Sequence, residues 1–290
     1  MSIRVAGAPI SWGVCEVPDW GYQLEAERVL GEAASLGLTA LEAGPDGFLP
    51  ADPEEMVDLL SAHGLELVGG FVPAVLHRQE KRDSELASVE RQARLFAAAG
   101  AGVLVIAATT GEEGYQESAD LKDGEWDELF ATLGMVEEIG ANHGLSVVLH
   151  PHYGTEIESP EQVKRFLEGC DTGLCLDTGH SMVGGGDPVA LTETAVARIR
   201  HVHLKDVDLA LADRVISGAL PYEKAVRDGL YMPLGDGGVD VRRVLDVLDG
   251  EGYDGWYVLE QDIMLADDPG YGPAAEVGRS LAYLKGVLGE

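Results

Sequence analysis

The chain has 290 residues, with 20 basic and 51 acidic side chains and a formal net charge of −31. Phosphate backbones and anionic membranes are bound by clustered Lys and Arg, so this balance argues against a nucleic-acid or membrane partner. A hydrophobic fraction of 46% with 24% charged residues suits a soluble chain with a substantial core, and the length fits one domain over residues 1–290.

Cys15, Cys170 and Cys175 form no CxxC pair. An odd count of this kind suits a reducing cytoplasm and gives no thiolate zinc site. The opening MSIRVAGAPISWG has no charged stretch followed by a long apolar one, so no signal peptide is read there. The most apolar run, around Val103–Ala108, is too short to span a bilayer. A cytoplasmic location is expected.

Taken in chain order, short β-rich runs alternate with segments of helical periodicity. Strands are predicted at Val5–Ser11, Ala40–Ala43, Leu65–Val72, Val103–Ala107, Ser146–His150, Gly173–Asp177, His201–Lys205 and Trp256–Glu260. Helices fall between them, with apolar residues three and four apart, as at Leu129, Leu133, Val136 and Ile139. Three helix starts carry an N-cap side chain before Pro: Asp52-Pro53, Ser159-Pro160 and Asp187-Pro188. Strict alternation implies parallel strands joined by crossover helices, and eight units favour closure into a (β/α)8 TIM barrel. No GxGxxG follows the first strand, which counts against a dinucleotide fold. The stretch from Asp206 to Gly238 is expected to be an extended loop on the catalytic face; the other reading is a surface insertion with one extra helix at Tyr222–Arg227.

In such a barrel the chemistry sits at the C-terminal ends of the strands. Four consecutive predicted strands end in ligating residues: His150, Asp177, His203 and Glu260. Singly, each has a bland explanation, since a strand-end His is usually packed and Asp177 suits an N-cap. Five of the eight histidines fall within 54 residues, all at strand ends, and that clustering favours a metal centre. Alternation puts His150 and His152 on one face, as it does His201 and His203, so either His150 or His152 can be the fifth-strand ligand. Imidazole and carboxylate without thiolate suit Mn²⁺, Co²⁺, Fe²⁺ or Zn²⁺.

The strings LDTGH (176–180) and HVHLKD (201–206), with Glu260, resemble the sugar isomerase and epimerase superfamily that has a xylose-isomerase-like barrel. The resemblance covers nearly the whole chain. It implies a divalent metal on residues ending the fifth to eighth strands, commonly Glu, Asp, His and Glu. Here Asp177, His203 and Glu260 match, while His150 stands where the first Glu is usual. HPHYGT (150–155), GGDP (185–188), PLGDG (233–237) and LEQD (259–262) are similar to the inosose dehydratases within that superfamily, as is APISWG (8–13). This implies dehydration of 2-keto-myo-inositol to a trihydroxycyclohexane dione with Mn²⁺ or Co²⁺, Zn²⁺, Fe²⁺ and Mg²⁺ being further options. It implies a small polyol or keto-sugar as partner. Barrels of this type often associate, so a homo-oligomer is compatible with it.

Dehydration beside a ketone needs a base for the alpha proton and an acid for the departing hydroxyl. Glu260, His152 and Lys205 are the expected catalytic residues. Lys205 is expected to have its pKa lowered by a nearby cation, or else to pair with Asp206 or Glu42. Trp12, Glu42, His180 and Asp206 are expected around the substrate, with core packing as the other reading of Trp12. A metal-dependent isomerase or epimerase of an inosose or keto-sugar is the alternative activity. A nuclease and a non-catalytic sugar-binding module are weaker ones, the first opposed by the charge and the second by the retained ligands.

Overall fold

The computed structural model describes residues 3–112 and 121–288. In chain order it builds β1 (Arg4–Gly7), α1 (Ala26–Ser35), β2 (Ala40–Leu41), α2 (Pro53–Ala62), β3 (Glu66–Leu67), β4 (Gly69–Ala74), α3 (Arg82–Ala98) and β5 (Val103–Ala108). Then follow α4 (Asp123–His143), β6 (Ser146–Leu149), α5 (Pro160–Gly169), β7 (Gly173–Asp177), α6 (Thr178–Val183), α7 (Pro188–Ala195) and β8 (Ile199–Leu204). The remainder is β9 (Asp206–Val207), α8 (Leu209–Ile216), α9 (Tyr222–Arg227), β10 (Tyr231–Met232), α10 (Val241–Gly250), β11 (Trp256–Leu259) and α11 (Gly272–Leu288).

Nine of these strands form one parallel sheet in the order β3-β2-β1-β11-β8-β7-β6-β5-β4. Its two ends, β3 and β4, are a single strand interrupted only at Val68, so the sheet closes on itself as the (β/α)8 barrel. The interruption has a steric cause. A Cβ on Gly69 would lie 2.3 Å from the Val103 carbonyl oxygen, and one on Gly70 would lie 2.7 Å from the Phe96 ring. Two glycines let this strand turn from β2 to β5 at close range.

The three predicted caps are present. Asp52 accepts from the Glu54 and Glu55 amides, Ser159 from Gln162, and Asp187 from Val189 and Ala190. Two boundaries differ from expectation. The first strand ends at Gly7 because Pro9 opens a 3-10 turn over Pro9–Trp12. The stretch after Asp206 is more ordered than a loop: α8 and the expected α9 stand between β9 and β10, which pair antiparallel as a short ribbon.

Side-chain alternation divides the core. Leu174 and Leu176 of β7 face the helices, within the large apolar layer that also holds Leu133 and Val136 of α4. Cys175 faces inward with Val105 and Val148, while Ala6, Ala40, Val68 and Val258 form a second small cluster. On β7 and β8, Cys175 is in register with His201 and Asp177 with His203. The inward row thus changes from apolar to ionisable toward the C-terminal mouth. Among the described residues, no helix is long and apolar enough to cross a membrane.

Candidate metal centre

Asp177, the last residue of β7, uses its two oxygens differently. Oδ1 accepts from the His180 amide at 2.7 Å and caps α6. Oδ2 faces the barrel mouth, 3.3 Å from His150 Nε2 and 3.6 Å from His203 Nδ1. The cap reading of this residue is therefore realised on Oδ1, and Oδ2 is the oxygen that faces where a metal would be held. His203 is fixed from behind: its Nε2 lies 3.0 Å from Glu42 Oε1, an oxygen that His201 Nε2 also approaches at 2.7 Å. A carboxylate so placed accepts the hydrogen bond of Nε2–H and leaves Nδ1 facing inward. There it meets Glu260 Oε2 at 2.9 Å.

Asp177, His203 and Glu260 each offer a ligand atom, all within 4.8 Å of one another. His150 adjoins this set through Asp177. The spacings of 2.9, 3.3 and 3.6 Å are those of neighbouring ligand atoms around one ion, since bonds of about 2.1 Å place such atoms roughly 3–3.5 Å apart. His203 Nδ1 and Glu260 Oε2 are buried and have no aligned hydrogen-bond partner among the described residues. Such a contact calls for a proton or a cation between the two atoms. The residues fit a divalent cation.

The electrostatics agree. Three carboxylates, those of buried Asp177 and Asp262 and of half-buried Glu260, meet a single lysine, and a fourth, buried Glu42, stands behind His203. Burial opposes charge on His203, yet Cys175, Glu260 and Glu42 outweigh it and hold the imidazole well above its usual range. Burial opposes ionisation of Glu260 too, but His203 and Lys205 prevail and hold it at about 2. A metal at Nδ1 would displace the proton there, as metal binding to imidazole ordinarily does.

Lys205 departs from expectation. Its ammonium pairs with neither Asp206 nor Glu42; it lies 3.3 Å from Asp177, 3.1 Å from Glu260 and 2.8 Å from Asp262. Burial works against its charge, but these carboxylates win and hold it well above the usual lysine range, so it is no neutral amine. His152 lines the pocket, with Nδ1 2.7 Å from the Tyr153 carbonyl. Burial, His150 and Lys205 lower its pKa to about 3, so it is a neutral imidazole whose Nε2 is the accepting nitrogen.

The expected substrate contacts need correction. Trp12 is fully buried between Gly7 and α1 and donates to Glu32 at 2.9 Å, so the packing reading holds for it. Asp206 follows an inward-facing residue and so points the other way. Its carboxylate accepts from the amides of Val207, Gly235, Gly237 and Val239 and organises the loop before α10. His180 stands behind Lys205, with Nε2 2.8 Å from its nitrogen, and is not on the pocket surface. Glu42 does reach the pocket, although its Oε1 is committed to the two histidines.

Several residues escaped the sequence reading. Asp262 lies two residues beyond Glu260 on the same face, a signal available from alternation. Cys15 and Glu16 reach the rim from the segment after β1. Phe71 sets its ring edge-on to His150, with centroids 5.9 Å apart. Tyr222 and Tyr231, from α9 and β10, meet Asp262 and His180.

The family model described as xylose isomerase-like TIM barrel matches residues 30–286. The chain belongs to that family. Within the xylose isomerase-like barrels, it is 31% identical over 270 residues to an inosose dehydratase of Geobacillus thermodenitrificans, covering 90% of each chain. It is 33% identical to the rhizopine catabolism protein MocC of Rhizobium meliloti, over 90% of this chain and 82% of that one. The solved structure of the IolI protein with a bound zinc atom superposes with a TM-score of 0.72 at 14% identity, over 99% and 98% of the two chains, which shows the shared fold.

Proposed function

We propose that the protein is a divalent-metal-dependent lyase that removes water from a keto-inositol, converting 2-keto-myo-inositol to a trihydroxycyclohexane dione. The convergence of Asp177 Oδ2, His203 Nδ1 and Glu260 Oε2 at ligand-pair spacing carries this reading. The likeness to inosose dehydratases supports the substrate class. Asp177, His203, Glu260 and His150 would hold the ion, Mn²⁺ or Co²⁺ by the chemistry of the donors. When bound, it would polarise the ketone and stabilise the charge left on oxygen as the alpha proton departs.

The chain's own residues supply the rest. His152, neutral and turned by Tyr153, accepts the alpha proton at Nε2. The carbon–oxygen bond at the next ring position then breaks, and the departing hydroxide takes a proton from the Lys205 ammonium to leave as water. The enol that remains becomes the dione. Glu260, held ionised, acts as ligand and as the carboxylate that keeps Lys205 charged. Phe71, Pro9 and Val14 offer the apolar surface against which a ring can lie.

An isomerase or epimerase of an inosose or keto-sugar would share the first proton transfer. Two-base epimerisation draws on a carboxylate at the end of the fifth barrel strand, where this chain has His150, so elimination is the better fit. Mass-resolved product analysis with 2-keto-myo-inositol and Mn²⁺ tests the proposal. Loss of one water is expected, sensitive to chelation; an inosose of unchanged mass would replace the lyase by the isomerase.

A further inference from the structure

We infer that Lys205 is the second cation of a two-cation centre: its ammonium stands where a second metal ion stands in a dinuclear site, and a substrate's two neighbouring oxygens are shared between it and the metal. The inference rests on the metal-dependent reading above and deepens it.

The carboxylates carry the argument. Asp177 Oδ2 touches His150 and His203 on one side and Lys205 Nζ, at 3.3 Å, on the other. Glu260 Oε2 likewise lies between His203 Nδ1 at 2.9 Å and Lys205 Nζ at 3.1 Å. Two carboxylate oxygens thus bridge the histidine-lined position and the ammonium. That is the layout of two-metal centres, whose ions lie about 3.5–4 Å apart and clamp two oxygens of one substrate. The outer side of Lys205 is also built from ligand types. Asp262 Oδ1 and His180 Nε2 each lie 2.8 Å from Nζ. His180, Asp262 and His152 could by themselves gather around an ion, and Asp262 Oδ1 is buried without an aligned hydrogen bond.

The lysine is held in that place by the sequence motif beside it. Thr178 Oγ1 donates to the Lys205 carbonyl at 2.7 Å and accepts from its amide at 2.9 Å. Gly179 leaves room for the stem: a Cβ there would lie 2.5 Å from Lys205 Cβ and 3.1 Å from its Cδ. His180 meets the tip and Asp177 pairs with it, so residues 177–180 all serve Lys205. A ring of contacts closes behind the tip, from His180 Nδ1 to Tyr231 (3.2 Å), Tyr231 to Tyr222 (3.1 Å) and Tyr222 to Asp262 (3.1 Å). An ammonium so pinned holds its charge at one place until it gives up its proton to the departing hydroxide.

The test is metal stoichiometry. Wild type should bind one equivalent of Mn²⁺ with an uncoupled paramagnetic-resonance spectrum. Lys205→Ala should bind a second equivalent, spin-coupled to the first, and Lys205→Ala with Asp262→Asn should lose it again. Coupling separates a true neighbour from ions gathered loosely by an acidic surface. Lys205→Met keeps the bulk of the side chain and favours folding. It should bind its one Mn²⁺ about tenfold or more tightly, because a unit positive charge a few ångström from the ion is gone; a merely structural lysine predicts weaker binding. One equivalent in Lys205→Ala, two in wild type, a second ion without coupling, or unchanged or weaker binding in Lys205→Met each overturn the assignment. Absence of any Mn²⁺ from wild type would instead sink the metal-dependent reading itself.

Discussion

Glu260 and Glu156 are both largely removed from solvent, yet their pKa values are driven in opposite directions. Burial raises both. At Glu260, His203 and Lys205 overcome it and hold the carboxyl at about 2. At Glu156, Arg78 is too weak a counterweight and the carboxyl is pushed up to about 7. Its neighbour His77, 3.6 Å away, is itself lowered by burial and by Arg78, so it adds no dependable charge. Burial alone makes a carboxylate less willing to ionise. Only where the fold lays cations and carboxylates edge to edge does burial produce a concentrated, ionised ligand set.

The largest effect should come from Glu260→Gln, which removes a proposed ligand and the charge facing Lys205. We expect kcat/KM to fall about 10³-fold or more, as when charge stabilisation aimed at a transition state is lost. Mn²⁺ affinity measured by calorimetry should fall with it, and retained metal binding with full turnover would show that Glu260 is no more special than Glu156. Next is Glu42→Gln, which leaves the ligands in place and disturbs what orients His203. Metal affinity should weaken about 10–100-fold in a protein of unchanged circular dichroism; unchanged affinity would reduce Glu42 to packing.

Glu156→Gln should leave turnover intact and alter only stability against pH. The folded carboxyl titrates near 7 and the unfolded one near 4.5, so the folded state binds the extra proton between those values. Stability contributed by the protonated form is complete below about 4.5 and is lost as pH rises through about 7. The variant carries no such loss, so by thermal melts it should gain roughly 3 kcal/mol over wild type at pH 8 and nothing at pH 4. Equal pH dependence of the two melts would place Glu156 with the ordinary surface acids.

The eight-strand frame was legible because strand–helix alternation and Pro-preceded caps are local signals, and local signals survive into the fold. The strand ends carrying His150, Asp177, His203 and Glu260 followed from it, since barrel position and alternation fix which residues face the mouth. What stayed hidden was set by long-range packing. Trp12 is packed against α1 and away from the pocket because Pro9 ended its strand early, and Asp206 found four backbone amides that only the folded loop brings together. Lys205 kept its charge because three carboxylates from two strands meet it, a sum that no single motif displays.

The β9–β10 ribbon sets a further consequence. The chain leaves the barrel at β9, makes the excursion of α8 and α9, and returns through β10 to the loop that Asp206 clasps. Departure and return are fastened to each other independently of what lies between. Helices of different length or polarity could be grafted between them, provided that Tyr222 of α9 keeps its contacts with Tyr231 and Asp262, which close the ring behind Lys205.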